Sequence, residues 1–298
     1  MTTNARLRAF VEVAETGSVR AAAERLYITE SAVSAAITTL VKDVGVPLLE
    51  RDGRGIRLTR AGEVYAGYAR MILGLHEQAA TAARDEVRPD EGMVRIAAVT
   101  TAGEHVLPGP LASFRARYPR FQLRLEVATR DQVWPMLTHH EVDLVVAGHP
   151  PEGFRGRLRA VSPNTLVVVG PPAQAHNFSA EQSTWLLREN GSGTRATCLA
   201  LLATLDIEPA QLTLGSHGAV VAGAIAGLGV TMVSREAVAG RLAAGLLVEL
   251  PVTGTPLDRP WHAVTHLETT GSTELLIEHL LADTDGGWQC APNWPAPD

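Results

Sequence analysis

The sequence has two cysteines, Cys198 and Cys290, among 298 residues. Two cysteines far apart in the chain do not make a disulfide framework, so a reducing compartment is expected. No basic-then-apolar signal pattern opens the chain, and no apolar run reaches the roughly 18 residues that a membrane span needs. We therefore expect a cytoplasmic protein without a membrane partner, and its length predicts two or three domains.

The chain also lacks an excess of positive charge, since its formal net charge is −6. Residues 1–88 contain 12 Lys and Arg against 11 Asp and Glu, and the remainder contains 14 against 21. Nucleic-acid binding by bulk charge is therefore excluded. Any DNA contact must come from the local placement of side chains in the first part.

Motifs of metal binding and catalysis are incomplete. The best histidine cluster is His105 with His139 and His140, but adjacent histidines on a helix point apart and no cysteine pair joins them. Gly191-Ser192-Gly193 does not complete the G-x-S-x-G pattern of a nucleophilic serine, and no P-loop pattern occurs. We expect no catalytic residue, no metal and no cofactor, and therefore no enzyme.

Two short amphipathic helices meet within AAAERLYITESAVSAAITTL, residues 21–40. Ser18 and Thr29 are positioned to cap them. A three-residue break between two helices is typical of a helix-turn-helix, whose second helix presents short polar side chains to the major groove. A helical subdomain with a small-residue surface is the alternative. The candidate DNA contacts in this stretch are Thr29, Glu30, Ser31, Ser34, Thr38 and Lys42.

The next segment, LLERDGRGIRLT at 48–59, predicts a strand, a tight turn and a strand. Its Arg51 and Arg54 are candidate contacts of a wing with DNA. A long helix over 59–86 follows, with a heptad seam that predicts pairing with a second helix. Packing of that seam on its own domain is the alternative. The seam consists of Ala61, Val64, Tyr68, Met71, Leu75, Gln78 and Ala82.

Beyond the polar linker at 87–92, strand-like and helical segments alternate, which predicts α/β sheets. Polar residues follow several predicted strands, at the sheet edge where such folds bind ligands. The stretch GSGTR at 191–195 opens a helix and suits a carboxylate, phosphate or sulfate. A capped turn without a ligand is the alternative, and Arg195 fits either a ligand contact or an ion pair. The candidate effector contacts are Thr100, Thr101, His149, Ser192, Thr194, Arg195 and His217.

The order and spacing of residues 10–62 resemble the N-terminal domain of LysR-type transcriptional regulators. The matching stretches are FVEVAETGSV (10–19), AAAERL (21–26), SAVS (31–34), GVPLLER (45–51) and LTRAG (58–62). Three further stretches resemble the branch that regulates carbon-fixation genes: GSGTR (191–195), GLGV (227–230) and PLDRPW (256–261).

The resemblance implies an α/β chain with several parts. These are a winged helix-turn-helix at 1–58, a linker and dimerisation helix at 59–91, a two-lobed effector domain like a periplasmic binding protein at 92–284, and a disordered tail at 285–298. Lobe I takes 92–162 and 267–284, and lobe II takes 163–266. The implied partners are double-stranded DNA, a small anionic metabolite and further copies of the chain in a dimer or tetramer, with RNA polymerase as another candidate.

Two positions depart from the family pattern. Glu30 stands where Gln is usual, and Ala35 stands where Arg is usual. A carboxylate is repelled by phosphates, and a missing arginine weakens the salt-dependent part of DNA binding. We expect weaker DNA binding or altered DNA specificity. The alternative function is a small-molecule-binding regulatory protein with weakened or altered DNA binding.

Overall fold

The computed structural model describes residues 2–53, 55–88, 91–283 and 287–291. They form two compact units. The first holds the described residues up to Arg84 together with Thr138–Val142, and the second holds the other described residues. No helix in the described part of the chain is long and apolar enough to cross a membrane.

The helices are α1 (Asn4–Thr16), α2 (Val19–Leu26), α3 (Glu30–Val44), α4 (Arg60–Asp85), α5 (Thr100–His105), α6 (Pro108–Arg117), α7 (Arg130–Thr138), α8 (Gly193–Thr204), α9 (His217–Ile225), α10 (Arg235–Ala243) and α11 (Gly271–Ala282). The strands are β1 (Leu49–Asp52), β2 (Gly55–Leu58), β3 (Met93–Val99), β4 (Gln122–Ala128), β5 (Leu144–Ala147), β6 (Arg157–Ser162), β7 (Thr165–Gly170), β8 (Trp185–Leu187), β9 (Gln211–Thr213), β10 (Thr231–Ser234), β11 (Val248–Glu249), β12 (Leu257–Asp258), β13 (Trp261–Thr265) and β14 (Gln289–Cys290).

Side-chain caps set the boundaries of the first helices, as the sequence predicts. The backbone N–H of Ala21 donates to Ser18 Oγ at 3.4 Å, and that of Ala32 donates to Thr29 Oγ1 at 3.2 Å. Gly45 ends α3 with φ +83°, a conformation that favours glycine. These short helices pack around a small core of Ala9, Val13, Ala22, Ala23 and Val33.

The predicted hairpin and long helix are both present. Strand β1 pairs antiparallel with β2, and the backbone N–H of Gly62 in the first turn of α4 donates to Thr59 Oγ1 at 3.0 Å. One face of α4 is buried through Ala66 and Ala69, which join the cluster around Phe10 and Leu40.

The heptad seam lies mostly on the opposite face of α4. Val64, Tyr68 and Leu75 are exposed to 61%, 62% and 44%. The seam is therefore largely unpaired within the described part of this chain.

The second unit contains a six-stranded sheet in the order β14-β6-β13-β5-β3-β4. Strands β4 and β5 run parallel to β3 on either side, whereas β13 runs antiparallel to β5. Alternate residues of β3, Val94, Ile96 and Ala98, pack with Phe114 of α6 and Leu276 of α11 in one core.

A second sheet, in the order β10-β7-β11 with β12 also on β7, forms the other lobe of this unit. Strand β7 is buried on both faces, because Leu166 and Val168 join one core while Val167 and Val169 join another. Strands β8 and β9 form a short parallel pair beside this sheet. A bridge between Trp185 of β8 and Val230 links the pair to the residue just before β10.

The structure corrects one predicted lobe boundary. Strand β13 pairs with β5 and β6, so 261–265 belongs to the sheet of lobe I and not to lobe II.

The expected disordered tail is ordered over 287–291. Trp288 is buried, and β14 pairs with β6. Tail residues 285–286 and 292–298 lie outside the described residues.

Ion pairs join distant segments of the second unit. Arg95 and Asp143, both buried, are linked by three hydrogen bonds of 2.7 to 3.1 Å. Arg159 of β6 donates to both carboxylate oxygens of Glu274 in the first turn of α11, the first at 2.7 Å. These hydrogen bonds, followed by one from Thr269, hold the pKa of Glu274 at about 2 despite partial burial.

We predict that Glu274→Gln lowers the free energy of unfolding by about 1 kcal/mol at pH 7, because it removes the ion pair with Arg159. The loss is small because solvent screens this partly exposed pair. A carboxyl whose pKa is depressed in the folded state stabilises it above the unfolded pKa, and that contribution is lost as the pH falls through the folded pKa. Urea unfolding of both proteins from pH 7 to 2.5 checks this. A gap between them that stays constant below pH 4 would contradict the assignment.

Candidate DNA-binding surface and interlobe cavity

Helix α3 separates its buried and exposed residues as a recognition helix requires. Val33 and Leu40 are fully buried against the first unit's cores. The exposed face contains Glu30, Ser31, Ser34, Ala35, Thr38 and Lys42. The predicted DNA contacts of this helix therefore all reach solvent on one side.

Some hydroxyls on this face already have backbone or side-chain partners. Thr38 Oγ1 donates to the carbonyl of Ser34 at 2.8 Å, and Thr29 Oγ1 lies 3.0 Å from Ser31 Oγ. Thr38 is left with acceptor capacity only, which suits base amino groups, whereas one hydroxyl of the Thr29–Ser31 pair can still donate. Arg51 of the wing is exposed, whereas Arg54 lies outside the described residues.

The turn before α3 holds an exposed residue that sequence reasoning missed. Tyr27 is 95% exposed and has φ +56°, a left-handed conformation that is uncommon for tyrosine. The neighbouring Ile28 is 47% exposed. Residue polarity does not predict this exposure, because Tyr27 and Ile28 are largely apolar and such residues are usually expected in the core.

A cavity lies between the two lobes of the second unit, at the carboxyl ends of β3, β4 and β5. Parallel strands bring these ends to one edge, and antiparallel β13 begins at the same edge. Lobe II contributes the end of β8 and the N-terminus of α8. The lining residues are Val99, Thr100, Thr101, Ala128, Thr129, Arg130, Gly148, Arg188, Glu189, Ser192, Gly193, Thr194, Arg259 and Trp261.

Of the three arginines in the wall, Arg188 has its own counter-charge. Its Nε donates to Glu189 at 2.7 Å, and its Nη2 donates both to Glu189 and to Thr100 Oγ1, the latter at 3.2 Å. Arg188 is buried, so the neighbouring carboxylate offsets the cost of removing its charge from water.

The other two arginines converge on Gly193. A Cβ added there would lie 3.0 Å from Arg259 Nη2 and 3.1 Å from Arg130 Cδ. Arg130 Nη2 donates to the carbonyl of His149 at 3.3 Å. In the described part of the chain, the guanidinium of Arg259 has no hydrogen-bond or ion-pair partner. Burial, and next the charge of Arg130, lower the pKa of Arg259.

The structure brings four of the predicted effector residues together. Thr100, Thr101, Ser192 and Thr194 all lie in the cavity wall. Ser192 also caps α8, because its Oγ accepts from the backbone N–H of Arg195 at 3.4 Å. The hydroxyl therefore has both a structural partner and access to the cavity.

Three predicted effector residues lie outside this wall. Arg195 donates to the carbonyl of Arg188 and to Thr213 Oγ1, which ties α8 to the β8–β9 pair. His149 is exposed and contacts the ring of His262. His217 is buried at the start of α9, with its ring against His105. His149 and His217 follow strands as expected and Arg195 lies in the first turn of α8, but each side chain makes a structural contact.

Sequence reasoning missed the arginines that line the cavity. Arg188 opens the stretch that precedes α8, and Arg259 lies in PLDRPW, so both stood beside motifs already noted. Arg130 follows β4, where the rule about strand ends also applies. No group of three or more His, Cys, Asp or Glu in the described ranges is placed to hold a metal ion.

Comparison with known proteins assigns the chain to a family. A model of the LysR substrate binding domain matches residues 88–284, and a model of the bacterial regulatory helix-turn-helix protein, lysR family, matches residues 5–63. The chain belongs to the LysR family of transcriptional regulators.

Two relatives have names that describe them as transcriptional regulators. The HTH-type transcriptional regulator CbbR of Rhodospirillum rubrum is 33% identical over 266 residues, which cover 87% of this chain and 88% of CbbR. The RuBisCO operon transcriptional regulator of Acidithiobacillus ferrooxidans is 30% identical over 301 residues, covering 98% and 97%. The resemblance to carbon-fixation regulators is thus confirmed, and this LysR chain is a regulator rather than an enzyme.

Two solved structures share the fold. Full-length CbnR complexed with its target DNA has a TM-score of 0.64 at 24% identity, covering 94% of this chain and 99% of CbnR. The CcmR regulatory domain of Synechocystis PCC6803 in complex with 2-PG has a TM-score of 0.58 at 24% identity, covering 64% and 96%. The predicted fold class is confirmed.

His217 gives a test of the environment beside the cavity. Desolvation, and next the charge of Arg188, lower the pKa of His217 to about 4. We predict that its NMR signal in histidine-labelled protein titrates near pH 4, identified by its absence from His217→Gln. Because the unfolded imidazole binds a proton more readily, this group destabilises the fold as the pH falls from 6.5 to 4. A midpoint near 6.5 would show that the ring is solvated.

Proposed function

We propose that this LysR protein regulates carbon-fixation genes and that a small anionic metabolite in the interlobe cavity modulates its DNA binding. The observation that carries this proposal is the cavity wall, in which guanidinium and hydroxyl groups from both lobes face one space. Guanidinium groups and a helix N-terminus are the usual partners of carboxylates and phosphates. The 2-PG complex of CcmR supports a small metabolite as the effector.

The DNA-binding part of the proposal rests on the exposed face of α3 and the adjoining wing. The complex of CbnR with its target DNA supports double-stranded DNA as the partner. We propose residues 1–58 as the DNA-binding domain, 59–91 as the linker and 92–284 as the effector domain, acting in the cytoplasm. RNA polymerase is a further proposed partner.

Closure of the lobes on the anion is the proposed mechanism. Arg130 and the Thr100 hydroxyl belong to lobe I, whereas Gly193 and Ser192 belong to lobe II. An anion that contacts both sides favours one relative position of the lobes, and this shifts the population of DNA-binding states.

The alternative function is a small-molecule-binding regulatory protein with weakened DNA binding. The exposure of Glu30 and Ala35 on α3 favours it, because both positions face the proposed DNA.

Fluorescence anisotropy distinguishes the two functions. The DNA upstream of the protein's own gene is compared with an unrelated fragment of equal length across a salt series. Preference for the upstream DNA supports a working regulator, and equal binding by folded protein supports the alternative.

The same assay tests the two unusual positions. We predict that Glu30→Gln with Ala35→Arg tightens DNA binding about tenfold and steepens the salt dependence by roughly 0.9 per added phosphate contact. The matched control is Glu152→Gln with Ala116→Arg, which makes the same charge change at exposed positions of the second unit. Equal affinities of the two double variants would show that charge alone, and not position on α3, sets binding.

The exposed seam of α4 is proposed as the dimer contact. We predict that Tyr68→Glu with Leu75→Glu halves the mass measured by light scattering, because two buried carboxylates would oppose pairing. Leu246→Glu with Leu267→Glu changes two equally exposed leucines elsewhere and should leave the mass unaltered. Unchanged mass in the first variant would place the contact on another surface.

A further inference from the structure

We infer that the turn at 138–142 is a latch that docks on α4, and that its release weakens DNA binding. The inference rests on the proposed function and deepens it, because it names a contact that passes a change in the effector part of the chain to α4. It does not depend on which ligand occupies the cavity.

The turn is set apart from its neighbours in the chain. Thr138–Val142 groups with the first unit, whereas the chain up to Leu137 and the chain from Asp143 group with the second. The turn joins α7 to β5, and α7 begins with Arg130, which lines the cavity. A displacement of α7 therefore has a covalent route to the turn.

Two glycines of α4 lie against the turn. A Cβ added to Gly74 would lie 2.3 Å from the carbonyl oxygen of His140 and 2.5 Å from its carbonyl carbon, which is too close for backbone atoms. A Cβ added to Gly67, two helical turns earlier, would lie 3.4 Å from His139 Nε2. Glycine inside a helix is destabilising relative to alanine, and the close approach of the turn explains its presence at position 74.

The backbone of the turn has an uncommon conformation next to this glycine. His140 has φ +58°, in the left-handed region that residues other than glycine seldom adopt. Its ring Nδ1 lies 2.9 Å from Gln78 Oε1, and the ring is the donor because an amide oxygen only accepts. Gln78 follows Gly74 by one helical turn, so α4 holds both the carbonyl and the ring of His140.

One guanidinium group connects the turn to two helices. Arg70 of α4 places its Nε 3.6 Å from Glu141 of the turn and 3.6 Å from Glu15 in the last turn of α1. All three side chains are partly buried, so water screens this network less than it screens an exposed pair. Without the charge of Arg70 the two carboxylates would repel each other, which favours the released turn.

The latch acts on DNA binding through order and not through a DNA contact of its own. The turn and its partners on α4 lie outside α3 and the wing. Release of the turn gives α4 more freedom, and the loss of this freedom on binding DNA costs free energy. Affinity should therefore fall while the number of phosphate contacts, and with it the salt dependence, stays the same.

Gly74→Ala tests the latch, because it displaces the turn while favouring the helix itself. Labelling of the full-length protein with diethyl pyrocarbonate, read by mass spectrometry, measures how accessible His139 and His140 are. We predict that Gly74→Ala speeds their labelling about tenfold through local opening. Affinity for the upstream DNA, measured by anisotropy without any effector, should fall about fivefold at an unchanged salt slope.

The matched control is Gly240→Ala inside α10, where an added Cβ meets nothing within 4 Å. It should alter neither the labelling of the turn nor DNA affinity. The exposed His176 is an internal reference, and its labelling should be the same in all variants.

Arg70→Gln tests the electrostatic part of the latch without adding any atom to the glycine face. It should also speed labelling of the turn histidines, whereas Arg70→Lys keeps the charge and should restore slow labelling. Arg235→Gln, which removes the surface pair with Glu249, is the control and should leave labelling unaltered.

The outcomes separate the latch from the proposed function. Unaltered labelling in both Gly74→Ala and Arg70→Gln would overturn the latch. Faster labelling with unchanged or tighter DNA binding, or with a changed salt slope, would overturn its role in DNA binding. If the wild-type protein shows no preference for its upstream DNA, the proposed function fails, and the labelling still decides whether the turn docks on α4.

Discussion

A guanidinium group taken out of water needs a counter-charge, and this requirement organises the second unit. Arg95 meets it through Asp143 in the middle of a sheet, and Arg159 meets it through Glu274 at the start of α11. Arg188 meets it through Glu189 at the cavity. No carboxylate of the described chain reaches Arg259, so its half-buried charge, at the point where both lobes meet, would be stabilised by an anionic ligand.

The first unit was predictable because its signals are local. Ser18 and Thr29 each mark a helix boundary within a few residues of the turn that they stabilise, and the structure places both as predicted. The spacing of apolar residues along α3 also determines which face is buried. Tyr27 escaped prediction since nothing in local polarity distinguishes an exposed turn residue from a buried one.

The cavity was predictable only in part, because its residues come from six segments that topology brings together. The rule about carboxyl ends of strands found Thr100 and Ser192, but it also selected His149 and His217, whose side chains pack elsewhere. Strand β13 explains the rest. Its antiparallel insertion between β5 and β6 brings Arg259 and Trp261 to the cavity edge. Alternation of strands and helices gives no signal for such an insertion, so 261–265 was assigned to the wrong lobe.

The charge pattern of the cavity also constrains how an effector acts. A ligand shifts an equilibrium between lobe positions only by binding one position more tightly than the other. Arg130 and Arg259 both pack against Gly193, and the charge of Arg130 lowers the pKa of Arg259. Gly193 opens α8 of lobe II, whereas Arg130 belongs to lobe I, so an anion that contacts both would gain affinity specifically when the lobes lie close together. That is the differential binding that a regulatory switch requires. A neutral ligand of the same shape lacks both attractions and would not favour closure.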